Sequence, residues 1–131
     1  MIRLSIAGAA ALVLAAPAAA QEPEWRTAPE YDVMLRPFAI DPAEIRLRAG
    51  APVRLRFVTS GHGRYSFSAP LFFANARLRS GDDEAVAGGT IVLGPGERRT
   101  IALVPRAGRY GARSRNFFQA MMGMAADIVV E

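Results

Sequence analysis

The sequence predicts an all-β domain: an antiparallel sandwich of seven to nine short strands with one short helical segment. Three observations predict it. Apolar residues recur at every second position in run after run, the period of a strand with one buried face. Glycine-containing turn signals separate the runs at close spacing. Only one stretch of the mature chain, PLFFANARL (70–78), carries helical spacing instead.

The runs follow in order. EPEWRTAPE (22–30) is polar and broken by proline, so residues 21–30 read as a linker, with Trp25 a candidate to pack back. YDVMLRPF (31–38) puts Tyr31, Val33 and Leu35 on one face. IRLR (45–48) alternates, and Ala49 and Gly50 make a turn. PVRLRFV (52–58) sends Val53, Leu55 and Phe57 inward and Arg54 and Arg56 outward. TSGHG is a loop, and RYSFS (64–68) is a short strand ended by Pro70, because the residue before a proline is pushed to extended backbone. Pro70 also suits the first position of a helix, where its missing N–H costs nothing. SGDDEAVAGG is an acidic loop bounded by glycine. TIVL is a strand, GPGE a turn and RTIALVP another strand. Ala107 and Gly108 turn the chain into RYGARS. SRNFFQAMMGM (114–124) is a tight irregular loop, and ADIVVE is the last strand. Residues 31–131 make one domain, large enough for one core.

Ahead of it, MIR gives a positive start, LSIAGAAALVLAAPA an apolar run, and Ala18, Ala19 and Ala20 a small-residue cleavage pattern. Residues 1–20 read as a secretory signal peptide cut after Ala20, with an uncleaved anchor as the alternative. The expected location is therefore the periplasm or outside the cell, free of the membrane once the leader is cut.

Composition narrows the chemistry. The chain has no cysteine, which excludes thiolate metal sites and cysteine catalysis. Its sixteen basic residues are all arginine. Without Arg3, fifteen arginines face twelve acids, 15 − 12 = +3. This mild charge is scattered along strands, which does not suit a nucleic-acid interface. No serine has a histidine and a carboxylate arranged behind it, and the expectation is a protein that is not an enzyme. Asp82, Asp83 and Glu84 lack the spacing of an EF-hand and read as a solvated loop.

Several stretches together resemble the cupredoxins, in particular the small secreted bacterial cupredoxin-like domains. FAIDPAEIRLRAGAPVRLRFV resembles the opening strand, turn and strand. RYSFSAPLFF resembles the segment in which a copper-binding histidine is followed by a phenylalanine and a Pro-x-Phe-Phe turn. LGPGERRTIALVPRAGRY resembles the PGE turn and the strand leading to G-x-Y. SRNFFQAMMGMAADIVVE resembles the ligand loop and the final strand. The resemblance covers about residues 31–131 and implies a Greek-key β-sandwich.

It also implies four ligand positions. The first histidine position is Tyr65, the cysteine position is Ser114, the second histidine position is Gln119, and the axial methionine position is Met124. A blue-copper site needs two imidazoles and a thiolate with a weak axial thioether, and here only the axial type is kept. No cofactor is expected, copper being the alternative. Ser114 and Gln119 are expected to bond to each other or to backbone, and Tyr65 to fill the space left by an imidazole and its ion. Two further readings stay open. His62 is either a displaced ligand or an exposed loop histidine. Met121, Met122 and Met124, with His62, are either a weak Cu(I) site or packing groups. The expected contact surface, for an exported protein partner or a small ligand, is the loop end near Phe72, Phe73, Phe117 and Phe118.

Overall fold

Strand Val53–Thr59 shows how the sequence builds the core. Val53, Leu55 and Phe57 are buried, Leu55 and Phe57 completely, while Arg54 and Arg56 lie on the opposite face. Each large side chain so buried contributes about 1.5–3 kcal/mol relative to exposure. The structure, a computed structural model, describes residues 22–131. The expected signal peptide lies outside the described residues.

Ten strands and two short helices follow in order: β1 (Glu30–Arg36), β2 (Ala39–Asp41), β3 (Glu44–Leu47), β4 (Val53–Thr59), β5 (Tyr65–Ser68), α1 (Pro70–Asn75), β6 (Arg77–Leu78), β7 (Thr90–Leu93), β8 (Arg98–Val104), β9 (Gly108–Arg113), α2 (Phe117–Met121) and β10 (Ala125–Val130). They form two five-stranded sheets, in the orders β2-β1-β4-β8-β6 and β3-β10-β9-β5-β7. The chain passes repeatedly from one sheet to the other, and the inward faces of both share one hydrophobic core. Phe57 and Phe67 meet in it with ring centroids 4.9 Å apart.

The sandwich matches the expected class, and its details depart from the sequence reading in five places. The pairings are not all antiparallel: β1 runs parallel to β4, and β3 parallel to β10. Alternation reports which face is buried and carries no information on strand direction. The ten strands exceed the expected seven to nine, because β2 and β6 are stubs of three and two residues with no readable period. Loop 114–124 contains a helical turn, α2. Tyr31 is exposed, since it lies at the open start of β1. Residues 22–29 are laid against the domain: Trp25–Thr27 is a 3-10 turn, Ala28 is buried, and the Arg54 side-chain Nε–H donates to the Ala28 carbonyl at 3.0 Å.

The acidic loop is also more than solvated surface. Asp82 accepts from the Arg79 guanidinium at 3.1 and 3.3 Å and from the Ala102 N–H of β8 at 2.9 Å.

The sandwich has two poles. Parallel register pairs Glu30 with Arg54 at one end of β1 and Leu35 with Thr59 at the other. The first end gathers residues 22–29, the Ala49 and Gly50 turn and Glu131, whose carbonyl accepts from the Ala49 N–H at 2.8 Å. The second end gathers Phe38, the loop before β5 and the loop 114–124, with the Phe38 and Phe118 rings 5.8 Å apart.

Candidate functional site

The loop between β9 and β10 is held shut at its base. The Ser114 N–H donates to the Met124 carbonyl at 3.0 Å, and the Met124 N–H donates to the Gln119 carbonyl at 3.0 Å. Asn116 caps α2, its side-chain Oδ1 accepting from the Gln119 N–H at 3.1 Å. Gly123, at φ 107°, takes the chain from the helix back toward β10 in a conformation that disfavours a side chain.

Inside this loop lies a closed polar network. The Ser114 hydroxyl is buried and donates to Gln119 Oε1 at 3.0 Å. It accepts from the Asn116 N–H at 3.1 Å. Ser66 Oγ stands 3.4 Å from Ser114 Oγ and accepts from the Arg115 N–H at 2.8 Å. With the Ser114 proton committed to Gln119, Ser66 is the donor in the serine pair. Each hydroxyl thus donates once and accepts at least once, which removes the cost of about 1–3 kcal/mol that an unpaired buried hydroxyl carries.

The four ligand-position residues therefore sit at one end of the molecule. Ser114, Gln119 and Met124 are bonded through side chain or backbone. Tyr65 is buried and lines, with Ser66, Asn116 and Gln119, a surface cavity of about 360 Å³. Its ring folds back over Gly63, where a Cβ would stand 2.9 Å from the phenol oxygen. Met124 is wholly buried in the core. At the other end of β9, Gly108 and Tyr110 explain the G-x-Y signature. The Tyr110 hydroxyl donates to the Arg106 carbonyl at 3.0 Å, and a Cβ on Gly108 would stand 2.9 Å from that oxygen.

The other sequence-predicted residues separate. His62 is exposed in its loop. Met121, the last residue of α2, and Met122, just after it, are exposed, whereas Met124 is buried. Among the described residues no group of three or more His, Asp or Glu side chains is placed to hold a metal ion. Phe117 is 80% exposed and Phe118 also faces solvent, whereas Phe72 and Phe73 do not. The expected surface is corrected accordingly: Phe72 and Phe73 pack on each other at 5.2 Å, Phe72 packs on Tyr110 at 5.6 Å, and both are core. Three members were missed. Ser66 sits at a strand position where alternation predicts an outward residue. Asn116 was announced by its place ahead of an apolar run, as a helix cap is. Phe38 has no such signal, since it joins the exposed end through a turn at φ 62°.

Comparison of the whole structure with solved proteins places its fold. Auracyanin B superposes with a TM-score of 0.57 at 16% identity, over 79% of this chain and 89% of that one. Auracyanin A, a "blue" copper protein from the green thermophilic photosynthetic bacterium Chloroflexus aurantiacus, gives 0.55 at 18% identity, over 79% and 99%.

The chain has a cupredoxin-like fold.

The McoA multicopper oxidase of Aquifex aeolicus also matches, with a TM-score of 0.60 at 12% identity, over 85% of this chain and 31% of the oxidase. No family model matches the sequence, and no curated protein does. In this cupredoxin-like protein the residues present do not fit a blue-copper centre. No thiolate is available anywhere in the chain. The hydroxyl at the cysteine position is already donor to Gln119 and acceptor from a backbone N–H. A neutral hydroxyl, a phenol and an amide are poor partners for a soft ion.

Proposed function

We propose that this is an exported, non-catalytic binding or accessory module that contacts another exported protein through its loop pole and carries no blue-copper centre. One observation carries the reading. Phe38, Phe117, Phe118, Met121 and Met122 stand exposed together beside a loop whose interior is fully hydrogen-bonded. Large apolar side chains gathered in solvent mark a contact surface more often than chance exposure does. The satisfied interior keeps that surface in a fixed shape, so little ordering is needed on contact.

Photo-crosslinking in the exporting cell tests it. A photoreactive residue in place of Phe118 is expected to give discrete adducts that the same residue in place of Tyr31, at the far pole, does not give. Adducts that are identical from the two poles, or absent from Phe118, overturn the reading.

A second reading is favoured by the adjacent, exposed thioethers of Met121 and Met122 at the end of α2: weak Cu(I) binding and transfer, soft ligand to soft ion. A Cu(I) competition titration of wild type against Met121→Leu, Met122→Leu and Met124→Leu separates the two. Equal, negligible uptake by all four removes it. Electron transfer of the cupredoxin kind has the least support, because the strong ligand types are missing.

A further inference from the structure

The cavity beside the ligand-position residues has the hydrogen-bonding character of an anion site. It is about 360 Å³ and is lined by Arg64, Tyr65, Ser66, Arg115, Asn116 and Gln119, with Val92 at one side. The side-chain oxygens of Ser66, Asn116 and Gln119 on this lining each already accept a hydrogen bond. Asn116 Oδ1 takes the Gln119 N–H, and Gln119 Oε1 takes the Ser114 hydroxyl. Ser66 Oγ takes the Arg115 N–H. Donors without any partner among the described residues are the side-chain NH₂ groups of Asn116 and Gln119 and two guanidinium groups.

The guanidinium groups are free as well. Arg36, Arg46, Arg54, Arg56, Arg77 and Arg79 are each paired with a carboxylate. Arg64 and Arg115 have no ion pair and no side-chain hydrogen bond among the described residues, and no carboxylate lines the cavity. Two uncompensated positive charges and two spare amide donors around one concavity favour a negative ligand. Planar amide and guanidinium forks match the two coplanar oxygens of a carboxylate.

We propose that this cavity binds a carboxylate, supplied either by a small organic acid or by an acidic side chain or chain end of a partner protein. The position that the cupredoxin resemblance assigns to a cation is thereby edged by an anion site. Tyr65 and Val92 give the carbon stem of such a ligand an apolar wall. The volume lies within the range of small-molecule sites. The proposal does not depend on the apolar patch, and its test uses probes too small to touch that patch.

The test is a ¹⁵N chemical-shift titration of the protein at low salt with succinate, with a short peptide ending in two glutamates, and with inorganic phosphate. Saturable shifts are expected at the backbone amides of residues 64–66 and 115–119. Arg64→Gln and Arg115→Gln are each expected to weaken binding about tenfold or more, as loss of a charge-assisted hydrogen bond does. Arg109→Gln removes an exposed arginine that does not line the cavity and is expected to change nothing. Unperturbed shifts elsewhere in the variants show that they are folded. Peptide binding about tenfold tighter than succinate identifies a partner's carboxylate as the source, and comparable or tighter succinate binding identifies a free acid; both support the site. No saturable shift, wild-type affinity retained in both Arg64→Gln and Arg115→Gln, a comparable loss in Arg109→Gln, or phosphate tighter than both carboxylates overturns it.

Discussion

Asp32 and Arg56 face each other across the parallel pair β1 and β4. The Arg56 guanidinium donates to the two carboxylate oxygens at 2.8 and 2.7 Å. These hydrogen bonds, with the attraction of the charge itself, hold the Asp32 pKa below its ordinary value and raise that of Arg56. A depressed carboxylate pKa contributes stability that is whole above the unfolded value, about 4, and is lost as pH falls through the lower folded value. Asp32→Asn is therefore expected to lower the urea midpoint slightly at pH 7 and to narrow its gap to wild type below about pH 4. The pair is solvent-exposed and screened by salt, so the difference should shrink further in high salt. Urea titrations from pH 2.5 to 7 check this; a gap that stays constant across the range contradicts it. Residue-scale detail of this kind was half legible. Outward-facing Arg56 follows from alternation, but its partner follows only from knowing that β1 lies beside β4 and in which direction.

At the scale of elements, α2 is the unit on which the loop pole depends. A helix of five residues has no stability of its own, because nucleation outweighs the few bonds it forms. It persists because Asn116 caps it and because the Ser114 and Met124 backbone groups clamp the loop on either side. Asn116→Ala removes the cap and is expected to cost about 1 kcal/mol. It should also speed amide exchange through residues 119–124 while leaving the strands protected. Hydrogen exchange measured residue by residue reads both effects, and uniform acceleration across β4 and β10 would contradict the assignment. Sequence reasoning drew 114–124 as irregular loop, since one helical turn leaves no periodic trace. The same shortness hid β6, a two-residue strand directly after α1 inside a stretch that spaces like one helix. Longer elements were legible: β4, β8 and β10 bury the residues that their alternation and apolar content select.

For the whole molecule, the sandwich brings to one end the four positions that the cupredoxin resemblance assigns as ligands, with side chains that do not suit copper. Ser114 follows β9 and Tyr65 opens β5, neighbouring strands of one sheet; Gln119 and Met124 belong to the loop that closes over them. Replacing the three unsuited side chains, Tyr65→His, Ser114→Cys and Gln119→His together, is expected to give a protein that takes up one Cu(II) with an intense visible thiolate band. Folded triple variant without that band would show that the four positions do not converge as ligands must. The ordered motifs made this class of fold readable from the sequence. The composition of the exposed end was readable only in part, because a Phe-Phe pair looks the same whether its rings cover the core, as Phe72 and Phe73 do, or face solvent as Phe117 and Phe118 do.

Residue 22 and Glu131 both lie at the pole away from Phe117, with a sandwich of about 20 Å between, six residues of strand at 3.3 Å each. Whatever the chain carries before residue 22 or after Glu131, whether an affinity tag, a sensor-chip linker or a lipid, leaves from that pole. A molecule held there carries Phe38, Phe117 and Phe118, with Arg64 and Arg115, at its opposite end.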